Sequence, residues 1–513
     1  MDSSKRPSSL LSNVFSSGLV RVFRAVIQLF LTPIVIALLG PEQYGIVAFS
    51  LTMQVLFFML DQAVSPVIIR YFAIYHEDPS RAQDMHNMLK TFEILSLVLG
   101  FVVCLLIIIA APYIASDWLK PDTLDLEYIT VALQLIGVML LFQWPALLYS
   151  GCFIGLRKQN YHAGITIMAT LIHVPILISV LYFWKADVLY YLGLQAIFSL
   201  VTSFVMRLYV KRAMPLPHAR PVFRVEILKK VSGYAGGTFL IGITTAVLTQ
   251  LDKLFISGAV SLDIFTIYAL SFTVVLQVML IVSSPLMASA QPVMSSVISS
   301  NDSERISRHY HLFSQANSVI VFSALGTLFA FALPLLKLWL GEESPIVNDM
   351  ADLLPWIILG SILNALHSMP YITQMAAGWT RLKLSMNLFQ VVIYLIFLPS
   401  LFEDYGVFAG VMLWIFINLL NFLVEVPLMH RRLLQNELYR WWFSDTVFPA
   451  VIATMIFFIS TEMLGVFETT WLMLVQIVMT VFFAIVGMLS TLPLLRKTLL
   501  QFIKHRLSYR SSV

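Results

Sequence analysis

Apolar runs of twenty residues or more, separated by short polar connectors, fill this chain from end to end. A helix that crosses hydrocarbon needs about 20 mainly apolar residues. Segments of that kind fall near 12–39, 45–72, 90–116, 126–152, 161–184, 188–210, 233–259, 264–298, 310–340, 351–376, 384–402, 406–429, 445–464 and 470–493. The pattern predicts an all-α polytopic membrane protein of about fourteen transmembrane helices. The eighth and ninth segments are over-long and are expected to extend into the cytoplasm. No connector is long enough to fold as a soluble domain. The first run contains Arg21 and Arg24 and no A-x-A cleavage pattern follows it. It therefore reads as a first membrane helix and not as a removed signal peptide.

Composition agrees with that pattern. Of 513 residues 59% are apolar and 12% charged, and mean hydropathy is +0.85. A soluble domain carries roughly a quarter charged residues, so lipid has to cover most of this surface. The formal net charge of +4 is too small to argue for a nucleic-acid partner. Cys104 and Cys152 both lie in apolar runs and read as small packing residues, with neither a disulfide framework nor a metal site to build.

The placement of charge is more informative than its sum. If both termini are cytoplasmic, 26 of the 32 Lys and Arg fall in inner connectors and inner helix ends. Only Lys120, Lys185 and Lys337 fall outside, and Arg21, Arg24 and Lys253 lie within helices. The positive-inside rule fixes the orientation on such a ratio.

The chain also reads as doubled. Ala48-Phe49-Ser50-Leu51-Thr52 returns as Ala269-Leu270-Ser271-Phe272-Thr273. Pro112 and Trp118 are echoed by Pro334 and Trp339, and Pro145 with Gly155 by Pro370 with Gly378, at nearly the same offset. Six helices per repeat is an even number, so the halves keep one orientation and relate by an axis along the membrane normal. The expected organisation is a six-helix bundle over 1–210, a cytoplasmic connector over 211–232, a second bundle over 233–430, and an extra helix pair with a basic tail over 431–513.

Polar residues at membrane depth are expensive and point to cavities or partners. Ser17, Arg21, Arg24, Gln28 and Thr32 share one face of the first helix. Arg24 lies about 18 Å along from residue 12, too deep for easy snorkelling. It reads as part of a cavity-lining stripe, with a structural role as the alternative. Asp61 lies nine residues before Arg70, hence at a depth of about 14 Å, which makes it the natural partner of Arg24. Structural and functional readings of that pair stand equal. In the seventh helix Thr245, Thr249, Asp252 and Lys253 lie on related turns, and adjacent Asp252 and Lys253 are expected to find different partners. Gln277, Ser284, Gln291 and Ser295 trace a polar face on the eighth, with Pro285 and Pro292 as kink points. Glu93, His173, His367 and Glu425 read as isolated polar groups satisfied within the core. No P-loop, nucleophile elbow or H-E-x-x-H occurs, so neither an enzyme nor a bound cofactor or metal is expected.

Leu39-Gly40-Pro41-Glu42-Gln43-Tyr44-Gly45 resembles the L-G-P-x-x-Y-G signature of the polysaccharide flippases. These belong to the multidrug/oligosaccharidyl-lipid/polysaccharide exporter superfamily. Asp61 with Arg70 is similar to that family's D-x-G…R pattern, with Gln62-Ala63 in place of Leu-Gly, and Asp252-Lys253…Ile256 with Tyr268-Ala269 to its D-[RK]-x-x-I…Y-A pattern. The resemblance covers the whole chain. It implies two six-helix bundles around a cavity open alternately to each side, in a bacterial inner membrane. The implied cargo is an undecaprenyl-diphosphate-linked glycan, with Arg21 and Arg24 supplying charge for the diphosphate. Polar side chains such as Gln28, Thr245, Thr249, Gln277 and Gln291 would meet the sugars, and Lys253 would add charge. Asp61, Arg70 and Asp252 become ion-pair or coupling candidates. Polymerase and chain-length proteins of the same pathway are the implied partners. An ion-coupled multidrug exporter, a murein-precursor flippase and a membrane glycan polymerase or ligase are the alternatives.

The charge asymmetry makes a first prediction. Reporter fusions at Arg220 and at Val513 are expected to report cytoplasm, and an outside signal from either means the helices are miscounted.

Overall fold

In hydrocarbon every peptide N–H and C=O must be bonded within its own segment, so an apolar chain of this kind folds as helices. The computed structural model describes residues 8–61, 65–76, 78–300 and 302–510, with the backbone alone for 8–17, 59–61, 79, 228–239, 241 and 502–510. The helices of the first half are α1 (Ser8–Leu39), α2 (Pro41–Asp61), α3 (Ser65–His76), α4 (Ala82–Tyr113), α5 (Leu126–Gly155), α6 (Gln159–Phe183) and α7 (Val188–Ala213). Those that follow are α8 (Val225–Ala259), α9 (Leu262–Val282), α10 (Ser284–Ser299), α11 (Ser303–Ala330), α12 (Ala332–Leu340), α13 (Val347–Ala376) and α14 (Thr380–Tyr405). The chain ends with α15 (Phe408–Leu420), α16 (Val426–Leu433), α17 (Leu438–Arg440), α18 (Phe448–Phe458), α19 (Thr470–Thr491) and α20 (Pro493–Arg510).

Twelve helices among the described residues are long and apolar enough to cross a membrane. The second expected segment is met by α2 and α3, and the seventh by α8, 35 residues long. The eighth and ninth segments are corrected in one respect, because neither is a single helix. Pro285 opens α10 after a break at Ser283. Phe331 leaves helical geometry between α11 and α12, with Pro334 in the first turn of α12. Proline lacks an N–H and fits the first turn of a helix better than its interior. Pro292 stays inside α10.

The doubling extends to the element boundaries. Helices that start at Pro41, Ala82, Leu126 and Gln159 have counterparts starting at Leu262, Ser303, Val347 and Thr380, all at one constant offset. The end of α2 at Asp61 and of α9 at Val282 keep the same offset. By packing, Met1–Leu270 with Asn387–Leu398 form one compact unit, and Ser271–Met386 with Pro399–Val513 form another. Packing thus cuts the chain elsewhere than the repeat does.

In the first unit α5 packs against α2, α3, α4, α6 and α7, and Ile68, Phe72, Met85, Cys152 and Phe153 are fully buried beside it. Cys104 and Cys152 are both free and buried. In the second, α13 packs against α10, α11, α12 and α15. The helices beyond the repeat, α18 and α19, attach to α11 through Phe457, Ala484 and Met488.

The α1–α2 turn is densely bonded. Gly40 takes a φ of 78° to end α1, a region open to glycine. The Pro41 carbonyl accepts from Thr266 Oγ1 at 2.8 Å. Glu42 Oε1 accepts the N–H groups of Asp122, Thr123 and Leu124 at 2.7, 2.9 and 3.2 Å. Gln43 Oε1 accepts from Val188 N at 2.9 Å. Beside it the Tyr128 hydroxyl donates to Asp187 at 2.6 Å, and Lys185 lies 2.8 Å from that carboxylate. Burial pushes the Asp187 pKa up, but Lys185, Tyr128 and the Leu189 N–H outweigh it and hold the group below its ordinary value. Tyr44 is buried. A Cβ on Gly45 would stand 2.7 Å from the Leu262 carbonyl oxygen, so α2 and the start of α9 touch backbone to backbone.

Gly45→Ala is therefore expected to destabilise the fold by about 1–3 kcal/mol through overpacking. Gly164→Ala, where an added Cβ meets nothing within 4 Å, serves as the control. Thermal unfolding of the purified variants measures both, and equal midpoints would refute the close contact.

Candidate functional site

The first unit contains a polar cavity of about 140 Å³, walled by Arg24 of α1, Gln143 of α5, Thr166, Thr170 and His173 of α6, and Gln195, Ser199 and Thr202 of α7. The α6 and α7 residues are spaced four and then three apart, so each set forms one stripe on its helix. Gln143 is held by Gln54 at 3.1 Å. Arg24 is exposed and has no ion pair or hydrogen bond among the described residues. Thr166 is 1% exposed, and neither its Oγ1 nor His173 Nε2 has a hydrogen-bond partner. A guanidinium, a hydroxyl and an imidazole nitrogen are thus free to bond a polar ligand or water.

The second repeat treats the same positions differently. At the repeat offset, Arg24, Thr166 and His173 correspond to Thr245, Asn387 and Tyr394. Asn387 Nδ2 donates to Thr245 Oγ1 at 2.9 Å, and Tyr394 is fully buried. There Asn387 and Thr245 bond each other while the buried Tyr394 hydroxyl has no partner; around Arg24 the Thr166 hydroxyl and His173 Nε2 have none.

Of the stripe on α1, Arg24 alone among the described side chains borders this cavity; the Ser17 side chain lies outside them. Arg21 is exposed, while Thr32 donates to the Gln28 carbonyl at 2.8 Å and Gln28 Nε2 lies 3.4 Å from Thr32 Oγ1. Asp61 ends α2, and its side chain lies outside the described residues, as does the pairing expected for it. Arg70 is exposed on α3. Gln277 is half-buried with Oε1 unpartnered, and Gln291 is exposed.

Asp252 and Lys253 contact each other, and each also has a partner of its own. Lys253 Nζ lies 3.3 Å from Asp252 Oδ2 and donates to the Thr249 carbonyl at 3.1 Å. The four-carbon stem of lysine folds back along the helix, which overrides the rule that neighbouring positions diverge. Tyr268 donates to the same carboxylate at 2.5 Å. Thr249 Oγ1 bonds the Ala246 carbonyl at 3.1 Å.

Two acid–base clusters occupy the second unit. Glu425, fully buried, lies 3.1 Å from Lys383 Nζ and 3.2 Å from His367 Nε2. The histidine contact has ion-pair distance without hydrogen-bond alignment, and Glu425 Oε1 is unpartnered. Glu425 and His367, expected as isolated groups, share a site, and Lys383 is a buried partner rather than an interfacial charge. Glu93 is likewise paired, with Arg207 at 2.7 Å and Tyr149 at 3.0 Å. His173, also expected to be satisfied, is the exception, because its Nε2 faces no acceptor or donor.

His311 was not legible as a site residue. Fully buried, it lies between Asp445, in very short contact, and Glu437 at 3.0 Å. Gln315 donates to Asp445 at 2.9 Å. Burial pushes the Glu437 pKa up, yet Ser307, His311 and Arg440 leave it below its ordinary value. Glu425 and Asp445 both sit in widened turns, Asn421–Glu425 and Trp441–Val447, just before Pro427 and Pro449. A proline supplies no N–H to the ladder, and the turn ahead of it widens. Among the described residues no group of three metal-ligating side chains occurs.

Solved structures carry the same polytopic all-helical fold. An inward-facing multidrug resistance MATE family transporter of the MOP superfamily aligns with a TM-score of 0.64 at 17% identity, over 81% of this chain and 99% of that one. The lipid II flippase MurJ, in an inward closed conformation, aligns at 0.63 and 11%, over 93% and 96%. A MOP superfamily transporter from Pyrococcus furiosus aligns at 0.52 and 15%, over 83% and 95%. Residues 10–298 match the model of the polysaccharide biosynthesis protein family, and the chain belongs to that family. No curated protein matches the chain significantly.

Lys383→Met is expected to be strongly destabilising, because it leaves Glu425 charged and unpaired. Adding Glu425→Leu is expected to recover part of the loss, with a coupling of about 1–3 kcal/mol in a double-mutant cycle of unfolding midpoints. Simple additivity would mean the two side chains do not share their burial.

Proposed function

We propose that this protein is a flippase that carries undecaprenyl-diphosphate-linked oligosaccharide units from the cytoplasmic to the outer leaflet by alternating access, without covalent chemistry. The supporting observation is the cavity beside Arg24. Its permanent charge is a guanidinium with no protein partner among the described residues, set among hydroxyl and amide groups at membrane depth. A diphosphate supplies the missing charge, and the fork geometry of arginine suits two phosphoryl oxygens. A cationic drug would be repelled there, which disfavours multidrug export. Family membership supports a place in polysaccharide biosynthesis. The proposed setting is a bacterial inner membrane with both termini cytoplasmic. Polymerase and chain-length proteins of the same pathway are the proposed partners.

Arg24→Ala is expected to lower transport of the lipid-linked unit roughly a hundredfold while leaving membrane insertion intact, since about 3 kcal/mol of charge-assisted bonding is removed. Arg24→Lys is expected to recover part of it, because the ammonium keeps the charge and loses the fork. A transport assay in vesicles with matched protein levels reads both, and wild-type transport by Arg24→Ala would remove the cavity from the mechanism.

A further inference from the structure

A second cavity, of about 620 Å³, lies between α6 and α7. Gly164, Met168 and Ile172 on α6 and Val201 and Val205 on α7 give it apolar walls. It is open along its side, with Met168 58% and Ile172 and Val201 each 50% exposed, so hydrocarbon would otherwise fill it. One end is marked by Tyr161 and Tyr209, whose rings lie 6.1 Å apart. Lys158 and Arg212 lie over those rings, each 5.8 Å from a centroid. Tyrosine with nearby cations is the signature of a membrane interface. At the other end Ala169, Phe198 and Thr202 line both this groove and the Arg24 cavity. Thr166 and His173 lie about 10 to 21 Å along α6 from its start, well below that interface.

An apolar channel that begins at the interface and ends on a deep cation fits one kind of molecule: a single hydrocarbon chain bearing its charge directly at its tip. An ordinary diacyl phospholipid does not match. Its phosphate is tied to a glycerol backbone that stays at the interface, and it has two chains to place. We propose that the groove between α6 and α7 holds the first isoprenoid units of a polyprenyl diphosphate whose diphosphate lies against Arg24. This rests on the functional reading above and adds the lipid half of the site. It makes the α6–α7 seam the path by which the lipid carrier reaches the cavity from the bilayer.

Gly164 provides the test, because a side chain there meets no protein atom within 4 Å of its Cβ position and would project into the groove. Binding of farnesyl diphosphate and of inorganic diphosphate is measured on the detergent-purified full chain. Gly164→Leu is expected to weaken farnesyl diphosphate about tenfold, the effect of roughly two buried methylenes, and to leave inorganic diphosphate unchanged. Val201→Trp, from the opposite wall, is expected to do the same and guards against a folding defect in the first variant. Arg24→Ala is expected to weaken both ligands. Unaltered farnesyl diphosphate affinity in both groove variants overturns the proposal and leaves the functional reading standing. Displacement of farnesyl diphosphate by phosphatidylglycerol at equal concentration also overturns it, as a general lipid site. If neither diphosphate binds the wild-type chain, the functional reading itself fails and the groove assignment with it.

Discussion

An ionised side chain at the centre of a bilayer costs roughly 3 kcal/mol even on the most lenient scale, and the organisation of this protein follows from how each such charge is neutralised. Glu93 has Arg207, Asp252 has Lys253 and Tyr268, and Glu425 has Lys383 and His367. Asp445 has His311 and Gln315. In each case the partners come from positions that the helical packing brings within about a side chain's reach. Arg24, like Arg21 on the same helix, has no ion pair or hydrogen bond among the described residues, and the neighbouring Thr166 Oγ1 and His173 Nε2 are themselves unsatisfied. In the proposed mechanism the cargo supplies the partner for the Arg24 charge.

The doubled architecture makes that opening specific. Two halves with matching helix boundaries start from equivalent positions, and an equivalent cavity in both would be the default. The second repeat instead places Thr245, Asn387 and Tyr394 at the corresponding points, with a hydrogen bond between the first two. One cation is replaced by a hydroxyl and one hydroxyl by an amide, and those two side chains bond each other. Duplication supplied the frame, and a few side chains decided which half carries charge.

The L-G-P-x-x-Y-G run has a structural explanation that a motif alone does not provide. Gly40 permits the reversal, Glu42 gathers the N–H groups that precede α5, Gln43 takes one at the start of α7, and Gly45 admits the start of α9. Gly40 and Gly45 are fixed letters of the run, while Glu42 and Gln43 fill its two variable positions. Such a turn positions helices for the cavity without touching it, which is how a signature can mark a family and yet lie away from the site.

Hydropathy, spacing and charge placement determined the helical segments, the doubling and the candidacy of Arg24, because apolar runs of this length can satisfy their backbone in lipid only as helices and lipid penalises every buried charge. The polar stripes Thr166–Thr170–His173 and Gln195–Ser199–Thr202 were also present in the spacing. Spacing alone does not single them out, because threonine, serine and glutamine are common in membrane helices. Tertiary structure alone decided the rest. Lys383 and Glu425 come from different helices, and His311 and Asp445 lie farther apart still along the chain. No local rule pairs positions so distant, and Lys383 read as an interfacial charge until packing buried it. The backbone breaks at Ser283 and Phe331 also depended on how the helix resumed beyond the proline. Periodicity says which residues face inward; only packing says what they meet there.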